Sequence, residues 1–374
     1  MTSNSEETVT NGLVVALNGC SPAIICPAWN ALQPERRMGG EQAAFRTTLR
    51  RNRTTPGGRS ATRRTGARWH GRKERSRPDK GAKVLDQFFS QISFVDIFNF
   101  CVFLTFTICY TYPLYYVFVV LTRKPKELTA KKNHKFAAVI SARNESAVIG
   151  DLIHSIKVQN YPSELIDVFV IADNCTDDTA RVAREAGAIV FPRSNDKEVG
   201  KGYALDYGFQ CICERYADKG YEAYFVFDAD NVLDVNYFRE MNKTFDNGAK
   251  ASTSYRNSKN YDSNWISAGY AVWFLREAKF LNQARLTLNT SCAVSGTGFF
   301  IAADIIEKNG GWKWHLLTED IEFSANSILE GTRISYTPTA ILYDEQPITF
   351  RDSWNQRFRW AKGFYQVFWH YGAR

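Results

Sequence analysis

Apolar positions follow three different patterns along the chain, and each pattern predicts a different kind of element. Up to residue 83 there is almost no apolar periodicity. From Phe100 to Leu121 there are 22 residues without a charge, enough at 1.5 Å per residue to cross a hydrocarbon core of about 30 Å. Pro113 lies inside this run and would kink it, which membrane helices tolerate. From Phe136 short apolar runs alternate with helical patterns. Strands are expected at 136–142, 166–173, 188–192 and 223–230, and helices at 145–159, 178–187 and 201–216. Such alternation predicts an α/β domain, a mostly parallel sheet with helices on both faces. Ligands then bind beyond the carboxyl ends of the strands. Asp173, Asp228 and Asp230 stand at two such ends.

Composition adds one correction to the picture. The formal net charge of +8 invites a nucleic-acid reading, but the charge is not spread evenly. Residues 1–83 hold 16 Lys and Arg against 6 Asp and Glu, so the rest of the chain is slightly acidic. The Arg-rich segment cannot bury enough apolar surface to fold alone. It is expected to be a disordered tail or an upstream extension from a misplaced start, with an RNA-binding or membrane-surface arm or a transit peptide as the alternatives. No nucleic-acid partner is expected for the remainder. Arg123, Lys124, Lys126, Lys131 and Lys132 follow the apolar run, which predicts that what comes after it faces the cytosol. The eight cysteines contain no Cys-x-x-Cys pair, which fits reduced thiols rather than a zinc site or a disulfide framework. Gly200-Lys201-Gly202 lacks the Ser/Thr and the spacing of a phosphate-binding P-loop.

Four short motifs carry candidate chemistry. Asp228-Ala229-Asp230 ends an apolar strand, where alternate residues share a side and two carboxylates could meet one Mg²⁺ or Mn²⁺. Thr318-Glu319-Asp320 opens a helix; Thr318 reads as its N-cap, and Asp320 as a general base for an acceptor hydroxyl. Gln356, Arg359 and Trp360 lie on one face of an amphipathic helix of the kind found at membrane surfaces. Arg359 suits a pyrophosphate, and Trp360 offers a stacking platform for a sugar. Gly296 and Thr297 belong to a small-residue turn, Ser295-Gly296-Thr297-Gly298, where a backbone can approach a substrate closely.

Taken with Ser141-Ala142-Arg143-Asn144-Glu145, with the IADNCTDDT run around Asp173 and with GKGYALDYG, this ordered set resembles the membrane-embedded family 2 glycosyltransferases: the cellulose, chitin, hyaluronan and poly-N-acetylglucosamine synthases. The resemblance covers about residues 130–370. It implies a GT-A type nucleotide-sugar domain, inversion at the anomeric carbon, a UDP-sugar donor, a glycan or lipid acceptor and Mg²⁺ or Mn²⁺. It implies that Ala142, Asn144, Glu145 and Asp173 line the uridine pocket. Lys201 and Asp228 would contact the nucleotide, and Asp230 would hold the metal. Asp320 would be the base, Gly296 and Thr297 would sit near the acceptor, and Gln356, Arg359 and Trp360 would bind the diphosphate and the acceptor end. Two departures stand out. The pyrimidine motif usually reads Asp-Asp-x-Ser, and here it reads Ala172-Asp173-Asn174-Cys175. The chain also ends fourteen residues after Trp360, where family members continue into further membrane helices, so a truncated chain is expected. The expected organisation is a disordered segment at 1–83, a membrane helix at 88–122, the transferase domain at 130–350 and an interfacial helix at 351–374. The location expected is the cell membrane. Single addition of a sugar to a lipid, and an inactive remnant, are the alternative functions.

Overall fold

The structure, a computed structural model of the chain, describes residues 93–372. The expectations for 1–83, for 88–92 and for the last two positions lie outside the described residues. The chain divides into two units at Ile108. Helix α1 (Phe94–Thr122) runs across this division and contains Pro113. Among the described residues it is the one helix long and apolar enough to cross a membrane. In the unit from Ile108 onward, Leu114, Phe118 and Leu121 are exposed, whereas Tyr116 and Val119 are buried against Leu281 and Ala284.

From Phe136 the chain builds one eight-stranded sheet. Its first four strands are β1 (Phe136–Ala142), β2 (Ile166–Asp173), β3 (Ile189–Arg193) and β4 (Ala223–Asp228). The helices between them are α2 (Ile149–Lys157), α3 (Thr179–Glu185) and α4 (Lys201–Arg215). Then come β5 (Val232–Leu233), α5 (Tyr237–Asp246), β6 (Ala251–Ser258) and α6 (Trp265–Arg276). A π-helical turn at Glu277–Asn282 leads into α7 (Gln283–Thr287), β7 (Phe299–Ala302) and α8 (Ala303–Asn309). The last elements are α9 (Glu319–Leu329), β8 (Ile334–Asp344) and α10 (Phe350–Tyr371).

The strand order is β3-β2-β1-β4-β7-β6-β8-β5. The first four strands pair in parallel, as the alternation predicts. The second half is mixed: β7 is antiparallel to β4 and β6, β6 and β8 are parallel, and β5 is antiparallel to β8. The reversal at β7 follows from its connection. A strand entered from the Ser295–Gly298 turn starts at the end of the sheet where β4 stops, so it must run back along it.

Side-chain alternation along β1 explains the two-layered core. Ala137 and Val139 join Phe169, Leu205, Phe209 and Trp312 on one face. Phe136, Ala138 and Ile140 join Leu152, Phe238 and Met241 on the other. Each fully buried Phe or Leu contributes ~2 kcal/mol, so both faces hold the strand ends in place. Register then does the positioning: Ser141 stands beside Asp228 and Ala142 beside Ala172. The ends of β1, β2 and β4 therefore share one edge.

Candidate active site

Asp228 is the last residue of β4. The expected strand to residue 230 stops two residues early. Ala229 and Asp230 form a turn, in which Asn231 N–H donates to the Asp228 carbonyl at 3.2 Å. The cause is Asn231, whose side chain is fully buried. Its Oδ1 accepts from Asp228 N–H at 3.3 Å and from the Thr297 hydroxyl, and its Nδ2 donates to Asp230 Oδ1 at 3.2 Å and Asp344 Oδ1 at 2.8 Å. The two acids of the motif are thus brought together by a turn wound around Asn231, not by strand alternation.

Lys201 opens α4 and reaches across the edge. Its Nζ donates to Asp228 Oδ1 at 2.5 Å and to the Gly296 carbonyl at 2.6 Å, with Glu319 Oε1 at 3.6 Å. Thr297 Oγ1 accepts from Asp228 N–H at 2.9 Å. Gly296 has φ 78, a left-handed conformation that glycine adopts without steric cost. A Cβ at Gly296 would lie 3.6 Å from Arg256 Nη1, 3.9 Å from Asp228 Oδ2 and 4.0 Å from Asp320 Oδ2. The small-residue turn therefore sits where the carboxylates of Asp228 and Asp320 converge.

The charge balance at this spot is poor. Burial, then Asp344 and Asp228, push the Asp230 carboxyl up to about 8. Burial also raises Glu319 to about 7, with Lys201 pulling the other way and Asp320 adding to the rise. The Asp320 carboxyl is raised by burial too, against the pull of Lys201. A buried carboxylate holds its proton when too little positive charge is near. Among the described residues no group of three or more His, Cys, Asp or Glu side chains is arranged to hold a metal by itself.

Ala142, Asn144, Glu145 and Asp173 form a second cluster on the same edge. Asp173 ends β2, and its Oδ1 accepts from Arg193 Nη1 at 2.6 Å, with both side chains buried. Asn144, with φ 58, uses its Oδ1 to accept from the Thr176 amide at 2.8 Å. The Cys175 thiol donates to the Ala142 carbonyl at 3.4 Å. Glu145 N–H donates to Thr179 Oγ1 at 2.8 Å, and the Glu145 carboxyl is raised by burial, Asp228 and Asp177. Glu145 is thus the electrostatic neighbour of both clusters.

The third group rides on α10. Thr349 caps this helix, accepting from Asp352 N–H at 3.1 Å. Gln356 and Trp360 are half-buried and Arg359 is exposed. Trp360 packs edge-on to Tyr270 at 6.0 Å, so part of its ring is already covered. Gln356 Oε1 is buried and accepts no hydrogen bond. Among the described residues, no hydrogen bond or ion pair joins these three to the carboxylates. The link is indirect. A Cβ on Gly363 would lie 2.3 Å from Thr318 Cγ2, so α10 presses directly on the start of α9. Thr318 does not cap α9 as expected: its Oγ1 makes no hydrogen bond, because this contact uses its side chain.

Sequence reasoning missed four residues of the site: Arg193, Asn231, Arg256 and Asp344. Asp344 had a readable signal, since β8 is an apolar run ending in an acid, like β2 and β4. The Arg256 guanidinium binds Asp344 and has no motif of its own.

Comparison with known proteins agrees with this geometry. Residues 134–363 match the family described as glycosyltransferase like family 2. Over 241 residues the chain is 27% identical to the probable glycosyltransferase YdaM of Bacillus subtilis, covering 62% of this chain and 56% of that protein. Over 239 residues it is 25% identical to a beta-monoglucosyldiacylglycerol synthase of Synechocystis sp., covering 62% and 48%. Over 259 residues it is 23% identical to a poly-beta-1,6-N-acetyl-D-glucosamine synthase of Staphylococcus epidermidis, covering 68% and 61%. The chain thus spans about half the length of these relatives. The mannosyltransferase PcManGT from Pyrobaculum calidifontis, solved in complex with GDP-Man and Mn²⁺, shares the fold, with a TM-score of 0.51 at 18% identity over 69% of this chain and 71% of its own. With well over half of its residues inside the family match, this chain belongs to glycosyltransferase like family 2.

Proposed function

We propose that this chain is an inverting hexosyltransferase that moves a sugar from a UDP-sugar to an acceptor hydroxyl during polysaccharide or cell-envelope glycan synthesis. The observation that carries the reading is the convergence of Asp228 Oδ2 and Asp320 Oδ2 within 4.0 Å of the Cβ position of Gly296, with Lys201 on Asp228. That arrangement sets a diphosphate-side acid, a base and a substrate-facing backbone turn around one point. The similarity to a polysaccharide synthase supports the acceptor class.

Asp230 and Asp228 fit a divalent cation. Asp230 is held protonated up to about 8 by burial and two neighbouring acids, which is the signature of a site short of positive charge. Mg²⁺ and Mn²⁺ are typically bound by one or two carboxylates completed by substrate phosphates. When bound, the cation would neutralise charge on the departing nucleotide. The remaining work falls to side chains. Arg359, exposed and without an ion-pair partner among the described residues, is free to meet the diphosphate. Ala142, Asn144, Glu145 and Asp173 line the uridine side. Asp320 takes the proton of the acceptor hydroxyl, and its raised carboxyl makes it a stronger base than an exposed Asp. Gly296 and Thr297 hold the acceptor in line, with Gln356 and Trp360 at its far end.

The same reading puts α1 across the membrane and α10 on its surface, with the domain on the cytosolic side. The apolar length of α1 supports the span. Exposed Trp354, Phe358, Tyr365 and Phe368 on α10 support the surface helix. The similarity to a beta-monoglucosyldiacylglycerol synthase favours a second reading, transfer of one sugar to a lipid.

The test is UDP release by membranes carrying the chain, with Mn²⁺ and a panel of UDP-sugars, against an Asp320→Asn control. Release with one sugar that vanishes in Asp320→Asn supports the reading, and product size separates a polymer from a single addition. No Asp320-dependent release, together with no metal-dependent UDP binding, overturns it.

A further inference from the structure

Arg256 lies on β6 two residues beyond a register shift at Ser254/Tyr255. Such bulges re-aim side chains beside active sites. Its side chain is 15% exposed and is held on three sides. Nε donates to Asp344 Oδ2 at 2.9 Å, and Nη2 makes a second bond to the same oxygen. Nη1 donates to the Ser295 carbonyl at 2.9 Å. The guanidinium carbon stands 4.0 Å from the centroid of the Phe274 ring. Stacking of this kind suits the flat, weakly hydrated Arg head and not the Lys ammonium.

Each of these partners leads to a different part of the site. Asp344 shares Asn231 with Asp230 and takes a further bond from Gln346 Nε2 at 2.7 Å. Ser295 precedes Gly296, whose carbonyl holds Lys201. Phe274 stacks with Tyr270, which meets Trp360 edge-on and lies under Arg357 at 4.8 Å. Among the described residues the Gln356–Trp360 face of α10 makes no polar bond to the carboxylates, so this aromatic ladder is its route to them on the α6 side.

We propose that Arg256 is a positioning residue for the transfer: anchored by Asp344 and stacked on Phe274, it fixes the Ser295–Gly296 turn and ties the Gln356–Trp360 face of α10 to the carboxylate edge. Its contribution to rate rests on the function proposed above, whereas its contribution to order does not. It donates to a backbone carbonyl and a buried acid and need not touch the sugar itself. Loss of its planar fork would free the Ser295 carbonyl and leave the turn to Lys201, Thr297, the Ser295 hydroxyl on Glu277 and the backbone bonds of Gly298. A displacement near 1 Å at such a turn costs about a hundredfold in rate.

Two measurements on the full chain in detergent separate the proposal from the function reading. The first is amide hydrogen exchange of Arg256→Lys, which keeps the charge but loses fork and stacking, and of the double variant Arg256→Gln/Asp344→Asn, which leaves no unpaired acid. Exchange about tenfold faster at 294–298 and 356–362, with 166–176 unchanged, is expected. Exchange equal to wild type in both segments overturns the proposal, whether or not the chain transfers sugar. The second is steady-state UDP release. A ~10- to 100-fold fall in kcat with donor KM within about twofold is expected for Arg256→Lys. A loss confined to donor KM overturns the positioning role and makes Arg256 a donor ligand. An inactive wild type counts against the function proposed above, and the exchange result still decides the role of Arg256.

Discussion

Two carboxylates at strand ends on either side of β1 are treated oppositely by this fold. Asp173, at the end of β2, is buried with Arg193 as its own cation, 2.6 Å away on the adjacent strand. Asp230, just past the end of β4, is half-buried with Asp344 and Asp228 as its electrostatic neighbours, and its carboxyl is pushed up to about 8. Asp344 cannot share its cation freely, because Arg256 is already bonded to it. One end of the edge is therefore neutral and complete, and the other is short of positive charge. The difference teaches where a ligand's charge belongs. In the proposed function, the Asp173 side would recognise its ligand mainly by shape and hydrogen bonds, and the Asp230 side would take a cation.

The strongest way to break this comparison acts on the charge-poor side. Asp320→Asn should cut UDP release by ~10³-fold, the usual scale for removing a general base, while UDP binding measured by calorimetry stays near wild type. On the complete side the largest effect is on folding. Arg193→Gln strands Asp173 in a buried site and should cost ~3–5 kcal/mol in urea unfolding. Asp173→Asn made alongside it should recover much of that loss.

Asp230→Asn sharpens the contrast through pH. The folded state raises this carboxyl from 3.8 to about 8, so folding favours the protonated form. Stability is therefore full at acid pH and declines as pH rises from the unfolded value through about 8. Asn mimics the protonated acid. Without divalent metal, the variant should match wild type near pH 4 and exceed it by ~2 kcal/mol near pH 9, read by thermal melting. Equal curves at both pH values would mean that Asp230 is compensated after all. The smallest effect is expected at Gly296. Its φ of 78 and the merely van der Waals contacts a Cβ would make there predict a cost of about 1 kcal/mol for Gly296→Ala, with a larger loss in kcat than in donor KM.

Much of the fold was legible beforehand. The alternating runs placed β1 and β2 at their observed limits and α4 within one residue, because short apolar runs and helical spacing are local signals. β7 was readable only as an apolar run after a turn. Its antiparallel insertion between β4 and β6 depends on where the Ser295–Gly298 turn starts, which no local pattern reports. The motif residues were legible as chemistry, but their partners were not. Asp173 announced itself at a strand end, whereas Arg193 is an ordinary basic residue until β3 lies beside β2. Thr318 looked like a helix cap, and its hydroxyl is instead unbonded under Gly363.

The sequence by itself determined the elements, the order of the motifs and the family, because spacing, strand-end acids and the apolar stretch of α1 are properties of the chain alone. Only the tertiary structure decided which acid receives a cation from the protein and which is left without one. Charge compensation depends on distances between residues remote in the chain, such as Arg256 and Asp344 or Lys201 and Asp228, and those distances exist only once the sheet has closed.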